Sequence, residues 1–430
     1  MSNGKKPIYT DTAFHNNKAQ PFHRWVNWIA GFSELFVTEA LKRHLPKGNR
    51  ELLVLDPFSG IGTTPITAYL NGYSTIGYEI NAFPAFVASM KYKAVHDLDV
   101  KILKDSIGHF MNYMESYSHS EPVSVVPNGF KTRIPFYSPN VLRKVLHVCD
   151  FFNLLKDDQV LYDIYRVAFS ATMVTFSNYS YEPSLGTRPA SGKPLIMDYD
   201  VAGTIAAKLM EIYNDVAWAR QGMVNNANFQ IVNQSFFNSD FPEESVDIIV
   251  TSPPYLNNYH YIRNTRPQLF WIGFVQSSTD LRHLETGNYG KYWQTVREKN
   301  YKCSLMLSSK WLKQIINDIR SIEKDRSLYG GEGWANYACE YFNDTVRFLK
   351  LVKNSLKKKS KAVIVIGNSV LKGIDVQTDK VFLHIAEELS FSKTRIIKVR
   401  NTRVGSSIVG TGVRTSGKKR LYESVIEIEK

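Results

Sequence analysis

Apolar residues along this chain fall into short runs separated by glycine- and asparagine-bearing breaks, and their spacing predicts the elements. Residues 52–55 and 74–79 are short and closely flanked by turn residues, as buried parallel strands are. Residues 65–70 and 83–93 carry helical spacing, with Asn71-Gly72 as a stop between them. Strand, helix, strand, helix with short connections is the doubly wound α/β pattern. Ahead of it, residues 22–45 read as an aromatic-rich helix containing Trp25, Trp28, Phe32 and Phe36, closed by Pro46, Gly48 and Asn49.

Beyond about residue 97 the alternation stops. Helical spacing in 141–155, 160–176 and 201–217 predicts a helical insertion over 98–225, broken by a polar loop at 177–193. Strands at 229–232 and 246–250 resume the α/β pattern. Residues 256–333 read as helical and irregular, rich in Asn, Tyr and Arg. One long helix is expected at 334–356, closed by Lys357-Lys358-Lys359, then a strand at 362–366 and a helix at 379–389. A closing strand pair at 395–399 and 424–428 brackets a basic, glycine- and serine-rich segment, 405–419. The expected fold is α/β, a doubly wound Rossmann-like sheet with a large helical insertion. Its catalytic unit is expected to begin in 1–97 and resume in 226–430.

Composition narrows the partners. Of 430 residues, 43% are hydrophobic and 22% charged, ordinary for a globular protein. The net charge of +13 suits a polyanion, because neutralising phosphates releases condensed counterions. Cys149, Cys303 and Cys339 lie far apart without metal-ligand spacing, so no metal site is expected, and so sparse a count points to a reducing cytosol. Residues 1–20 are polar and lack the apolar centre of a secretory signal. No run approaches the roughly 18 apolar residues of a membrane span. A cytoplasmic location without membrane contact is the expectation.

Two segments carry chemistry. The first runs Asp56-Pro57-Phe58-Ser59-Gly60-Ile61-Gly62-Thr63-Thr64. Glycines at 60 and 62, between a strand end and a helix start, let backbone approach a ligand closely. Glu79 ends the next strand, where a carboxylate can accept both hydroxyls of a ribose. The second segment is Thr251-Ser252-Pro253-Pro254-Tyr255. Two prolines after an apolar strand make a rigid turn whose carbonyls point in fixed directions. The Ser252 hydroxyl and the Pro253 carbonyl can each take one N–H of an exocyclic amine, and Tyr255 can stack on the base.

Together the two segments resemble the amino-group DNA methyltransferases, which usually read DPFxGxGTT in the cofactor segment and Asp, Asn or Ser before Pro-Pro-Tyr. The resemblance spans residues 22–93, 229–275 and 334–430. It implies a Rossmann-like methyltransferase sheet and S-adenosylmethionine as cofactor, held by Phe32, Asp56, Pro57, Phe58, Gly60, Gly62, Thr63, Glu79 and Gln234. Gln234 stands where the family often carries Asp. Ser252, Pro253, Pro254 and Tyr255 are implied as catalytic. Double-stranded DNA is the implied substrate, in a restriction-modification or defence setting with cognate restriction or defence proteins as partners. Ser252 favours cytosine N4 over adenine N6 as the target. An RNA or protein amide methyltransferase, or an inactive DNA-binding module, are the alternatives. The cofactor segment precedes the proline turn by nearly 190 residues, whereas in many enzymes of this wording it follows. That leaves two target-reading candidates: Tyr179, Tyr181 and Arg188 in the insertion, and Tyr259, Tyr261, Arg263 and Arg266 after the turn.

Overall fold

The computed structural model describes residues 8–10, 12, 14–28, 31–116, 120–181, 184–222, 225–256, 261–290, 296, 301–401 and 421–430. The chain enters through α1 (Glu34–His44), then alternates β1 (Leu53–Asp56), α2 (Thr63–Leu70), β2 (Ser74–Tyr78) and α3 (Ala82–Asp97). There follow α4 (Val100–Ser116), α5 (Pro139–Asn153), α6 (Gln159–Thr172), a hairpin of β3 (Tyr179–Tyr181) and β4 (Leu185–Thr187), and α7 (Val201–Ala219). Strands β5 (Phe229–Val232) and β6 (Val246–Thr251) come next, then α8 (Tyr261–Trp271), α9 (Ser278–Thr286), α10 (Lys310–Arg320) and α11 (Gly331–Ser355). The chain closes with β7 (Leu356–Gly367), a small hairpin of β8 (Ser369–Leu371) and β9 (Ile374–Val376), α12 (Thr378–Glu388), β10 (Lys393–Asn401) and β11 (Tyr422–Glu429).

Seven strands form one sheet in the order β10-β11-β7-β6-β1-β2-β5. All neighbours run parallel except β11, which is antiparallel to both β7 and β10. This mostly parallel sheet among many helices is compatible with a Rossmann-like methyltransferase fold. The strand order reverses at β1, whose partners are β2 on one side and β6 on the other. Open α/β sheets bind ligands outside the carboxyl ends at such a switch point.

Alternation along each central strand explains why both faces need cover. Val54, Ile248, Val250, Val363 and Val365 pack with Phe36, Val37 and Leu41 of α1. Leu55, Ile249, Ala362 and Ile364 face the other way, among residues of α11 and α12. Successive side chains of a strand point to opposite faces, so these buried strands read as continuous apolar runs.

Several expectations are corrected. The helix expected over 22–45 begins only at Glu34. Asp215 of α7 captures the Phe22 amide at 2.8 Å and the Trp25 indole N–H at 3.0 Å, and pairs with Arg24, so this segment turns. The loop expected at 177–193 contains β3 and β4, each only three residues long. Lys357–Lys359 open β7 instead of closing the preceding helix, and Lys357 Nζ binds both oxygens of Asp247 at 2.8 Å. Cys303 and Cys339 are joined as a disulfide with Cα atoms 6.0 Å apart, which their sparse count did not anticipate, and Cys149 is free.

Candidate active site

The carboxyl end of β1 turns through Ser59 to Gly62, closed by a 2.7 Å bond from the Gly62 N–H to the Ser59 carbonyl. Gly60 and Gly62 hold φ of +51° and +83°. A Cβ at Gly62 would also lie 2.8 Å from the Ala88 Cβ, so the turn requires glycine for both backbone and packing. Between them, the Ile61 carbonyl accepts a 2.6 Å bond from Lys91 Nζ. Lys91 is fully buried on α3, and that burial pushes its ammonium down to about 7 against the pull of Asp215.

Glu79, directly after β2, reaches back to this turn. Its Oε2 accepts the Gly60 N–H at 3.0 Å and its Oε1 accepts the Asn81 N–H at 2.8 Å. Burial raises its carboxyl to about 7, opposed by those two bonds. Asp56, fully buried, lies beneath. Its Oδ1 accepts from Thr251 Oγ1 at 2.6 Å and from the Phe58 N–H at 3.0 Å. Burial lifts Asp56 to about 6, and its Oδ2 has no hydrogen-bond partner among the described residues.

The proline turn leaves β6 beside this loop. Tyr255 Oη donates to Glu423 Oε1 of β11 at 3.2 Å. Its ring lies against Gly367 at the end of β7, where a Cβ would be 2.8 Å from Tyr255 Cε2. Burial holds the Tyr255 hydroxyl well above its ordinary range, and nearby Glu423 adds to that.

A cavity opens between the two segments. Pro57, Phe58, Gly60 and Glu79 line one side, Ser252 and Pro254 another, and Gln234 a third. Of the other expected site residues, Asp56, Gly62, Thr63, Pro253 and Tyr255 lie outside the lining, the Tyr255 ring being turned toward Gly367. Phe32 packs edge-on against Phe36 at 6.0 Å, in the core under α1, away from the cavity. Trp28 supplies the aromatic wall from that N-terminal segment. It stacks on Tyr261 at 6.3 Å and 25°, and a Cβ on Gly60 would meet its Nε1 at 3.2 Å. Trp28 and Phe32 lay in one aromatic cluster, so composition alone did not separate them. Gly287, Asn288 and Tyr289, just past α9, also line the cavity. No motif marked them.

The two target-reading candidates touch. Tyr181 Oη donates to the Asn264 carbonyl at 2.9 Å, and the Leu185 N–H to Asn264 Oδ1 at 2.6 Å. The β3–β4 hairpin and α8 therefore make one surface beside the cavity. Tyr179 is buried, Arg188 Nε binds the Pro194 carbonyl at 2.8 Å, and Arg266 sits over the Phe130 and Phe270 rings. Arg263 is exposed on α8. Tyr259 lies outside the described residues, as does the basic segment 405–419.

The donor set fits S-adenosylmethionine. Glu79 puts a carboxylate on the cavity wall at the end of the second strand, where a ribose would bind, and Gly60 of the positive-φ turn lies beside it. Among the described residues, no cluster of three or more His, Cys, Asp or Glu side chains can hold a metal ion, and no helix is long and apolar enough to cross a membrane.

This geometry accompanies similarity to known enzymes along nearly the whole chain. Over 441 residues the chain is 22% identical to Type II methyltransferase M.BsoBI of Geobacillus stearothermophilus, covering 92% of this chain and 83% of that protein. It is 24% identical over 451 residues to Type II methyltransferase M.AvaI of a Nostoc species, covering 96% and 87%. M.AvaI of Anabaena variabilis matches to the same extent. No family model matches the chain.

Proposed function

We propose that this protein is an S-adenosylmethionine-dependent DNA methyltransferase of a restriction-modification system that methylates an exocyclic amine, cytosine N4 ahead of adenine N6. One observation carries the reading: Gly60 and Glu79 of the cofactor segment line the same cavity as Ser252 and Pro254 of the proline turn. Similarity to Type II methyltransferases over more than nine-tenths of the chain supports it.

In this reading the cofactor supplies an electrophilic methyl group. Glu79 accepts the ribose hydroxyls, and the glycine turn passes close beneath. Ser252 Oγ and the Pro253 carbonyl each accept one N–H of a flipped base. Drawing both protons to one side leaves the nitrogen lone pair facing the methyl. The turn is rigid before the base arrives, so little reorganisation is required during transfer. Serine, a poor base, suffices because the methylated nitrogen, cationic once the methyl has moved, is acidic enough to release its proton to water.

The test is expression in a host free of DNA methylation, followed by single-molecule mapping of modified bases. N4-methylcytosine at a fixed sequence is the expected product. N6-methyladenine would overturn only the choice of base, and unmodified DNA would overturn the activity.

A further inference from the structure

The proline turn is gripped from behind by a residue that neither motif contains. Tyr341, on α11 and fully buried, donates from its Oη to the Pro254 carbonyl at 3.0 Å. A buried hydroxyl costs free energy unless it is bonded, and the partner chosen here belongs to the turn that presents the base. The ring of Pro254 fixes its φ but not the ψ that aims its carbonyl, and this hydrogen bond holds that remaining angle from outside the turn. Fixing it sets the plane of the peptide that leads into Tyr255. The far side of Tyr255 is held by Glu423 and Gly367.

Tyr341 also reaches the cavity wall. Its ring meets that of Tyr289 edge-on at 5.1 Å and 86°. Tyr289 lines the cavity, packs edge-on against Phe58 at 5.3 Å, and shares a 2.6 Å hydrogen bond with Thr345 Oγ1. The chain is shaped around this contact. Gly290 adopts φ +76°, and a Cβ there would lie 2.7 Å from Tyr341 Cδ2.

We propose that Tyr341 is a positioning residue for methyl transfer, holding the Pro254 carbonyl and tying the catalytic turn to the Tyr289 wall of the cofactor cavity. This rests on the function proposed above. It assigns α11 a part in the chemistry although the helix lies outside both motifs.

The test uses the full-length protein with Tyr341→Phe and Tyr289→Phe, each of which removes one hydroxyl and keeps the ring. Cofactor affinity is measured by calorimetry, and turnover by labelled methyl transfer to DNA carrying the mapped site. Tyr341→Phe is expected to lower kcat about tenfold or more while cofactor Kd stays within about twofold. Tyr289→Phe is expected to lower kcat less and to weaken cofactor binding as well. A folded Tyr341→Phe enzyme with wild-type kcat overturns the proposal, as does one that loses cofactor affinity but not turnover. Should Tyr341→Phe fail to fold, Gly290→Ala takes its place, since the added Cβ would press to 2.7 Å from Tyr341 Cδ2 and displace that ring; wild-type turnover by a folded Gly290→Ala enzyme overturns the proposal. A wild-type protein that methylates no DNA would instead refute the underlying function.

Discussion

Thr251 Oγ1 donates a 2.6 Å hydrogen bond to Asp56 Oδ1, joining the last residue of β6 to the last residue of β1. The two motif segments, nearly 190 residues apart in sequence, are thus bonded where they leave the sheet. Both groups are fully buried, so Thr251→Val leaves a buried carboxylate short of a donor. The variant should lose about 1–3 kcal/mol of stability. Urea unfolding checks this, and an unchanged midpoint would refute the coupling.

Cofactor affinity should depend on pH through Glu79. Burial raises its carboxyl to about 7, so the cofactor-free protein holds a proton there at pH 6 and releases it by pH 8. The carboxylate is the stronger acceptor for ribose hydroxyls, and affinity should rise across that interval. The folded value lies above the unfolded one, so the folded protein binds more protons between about 4.5 and 7. Glu79's contribution to stability is therefore fully present at low pH and falls as pH rises through that window. Glu79→Ala should weaken binding tenfold or more, a charge-assisted bond being worth roughly 1.5–3 kcal/mol. Calorimetry at both pH values on the wild type and on Glu79→Gln separates the effects. A wild-type profile as flat as that of Glu79→Gln would rule out this role.

Ser252→Ala should lower turnover while leaving cofactor affinity nearly intact, since the hydroxyl serves the base. Tyr255→Ala should lose stacking worth about 1–3 kcal/mol. Both quantities are to be measured on the same folded preparation. Loss of cofactor binding with turnover preserved at saturating cofactor would contradict the division of labour.

Gly367→Ala should act on the same step from a distance. Its Cβ would fall 2.8 Å from Tyr255 Cε2 and 3.0 Å from Cδ2, so the ring must move. The expected cost is about 1–3 kcal/mol of stability, with a drop in kcat and little change in cofactor Kd. Unaltered kcat would mean that the ring position is immaterial.

DNA binding should weaken steeply with salt, because phosphate contacts release counterions. Reversing the charge of exposed Arg263 on α8 should reduce the salt slope. A flat dependence between low and physiological ionic strength would argue against an extensive phosphate footprint.

The alternation of short apolar runs with helical stretches was enough to predict a doubly wound sheet, because buried parallel strands must be apolar on both faces. The glycine turn with Glu79, and the Pro-Pro pair, were legible because each demands residue types that few other structures need. The N-terminal turns at 22–26 were not legible, since their bonds go to Asp215, far along the chain. Trp28 could not be separated from Phe32 until Gly60 was seen beneath one indole and Phe36 beside the other ring. Residues 287–289 and Tyr341 carried no local signal, because a side chain that serves another segment's carbonyl or cavity leaves no periodicity of its own. Sequence by itself determined the seven strands of the main sheet, the glycine turn and the proline turn, all properties of neighbouring residues; the short hairpins β3–β4 and β8–β9 it did not. Only the tertiary structure decided which walls face the cavity and which residues hold the turn, because those depend on contacts between segments far apart in the sequence, as Tyr341 is from Pro254.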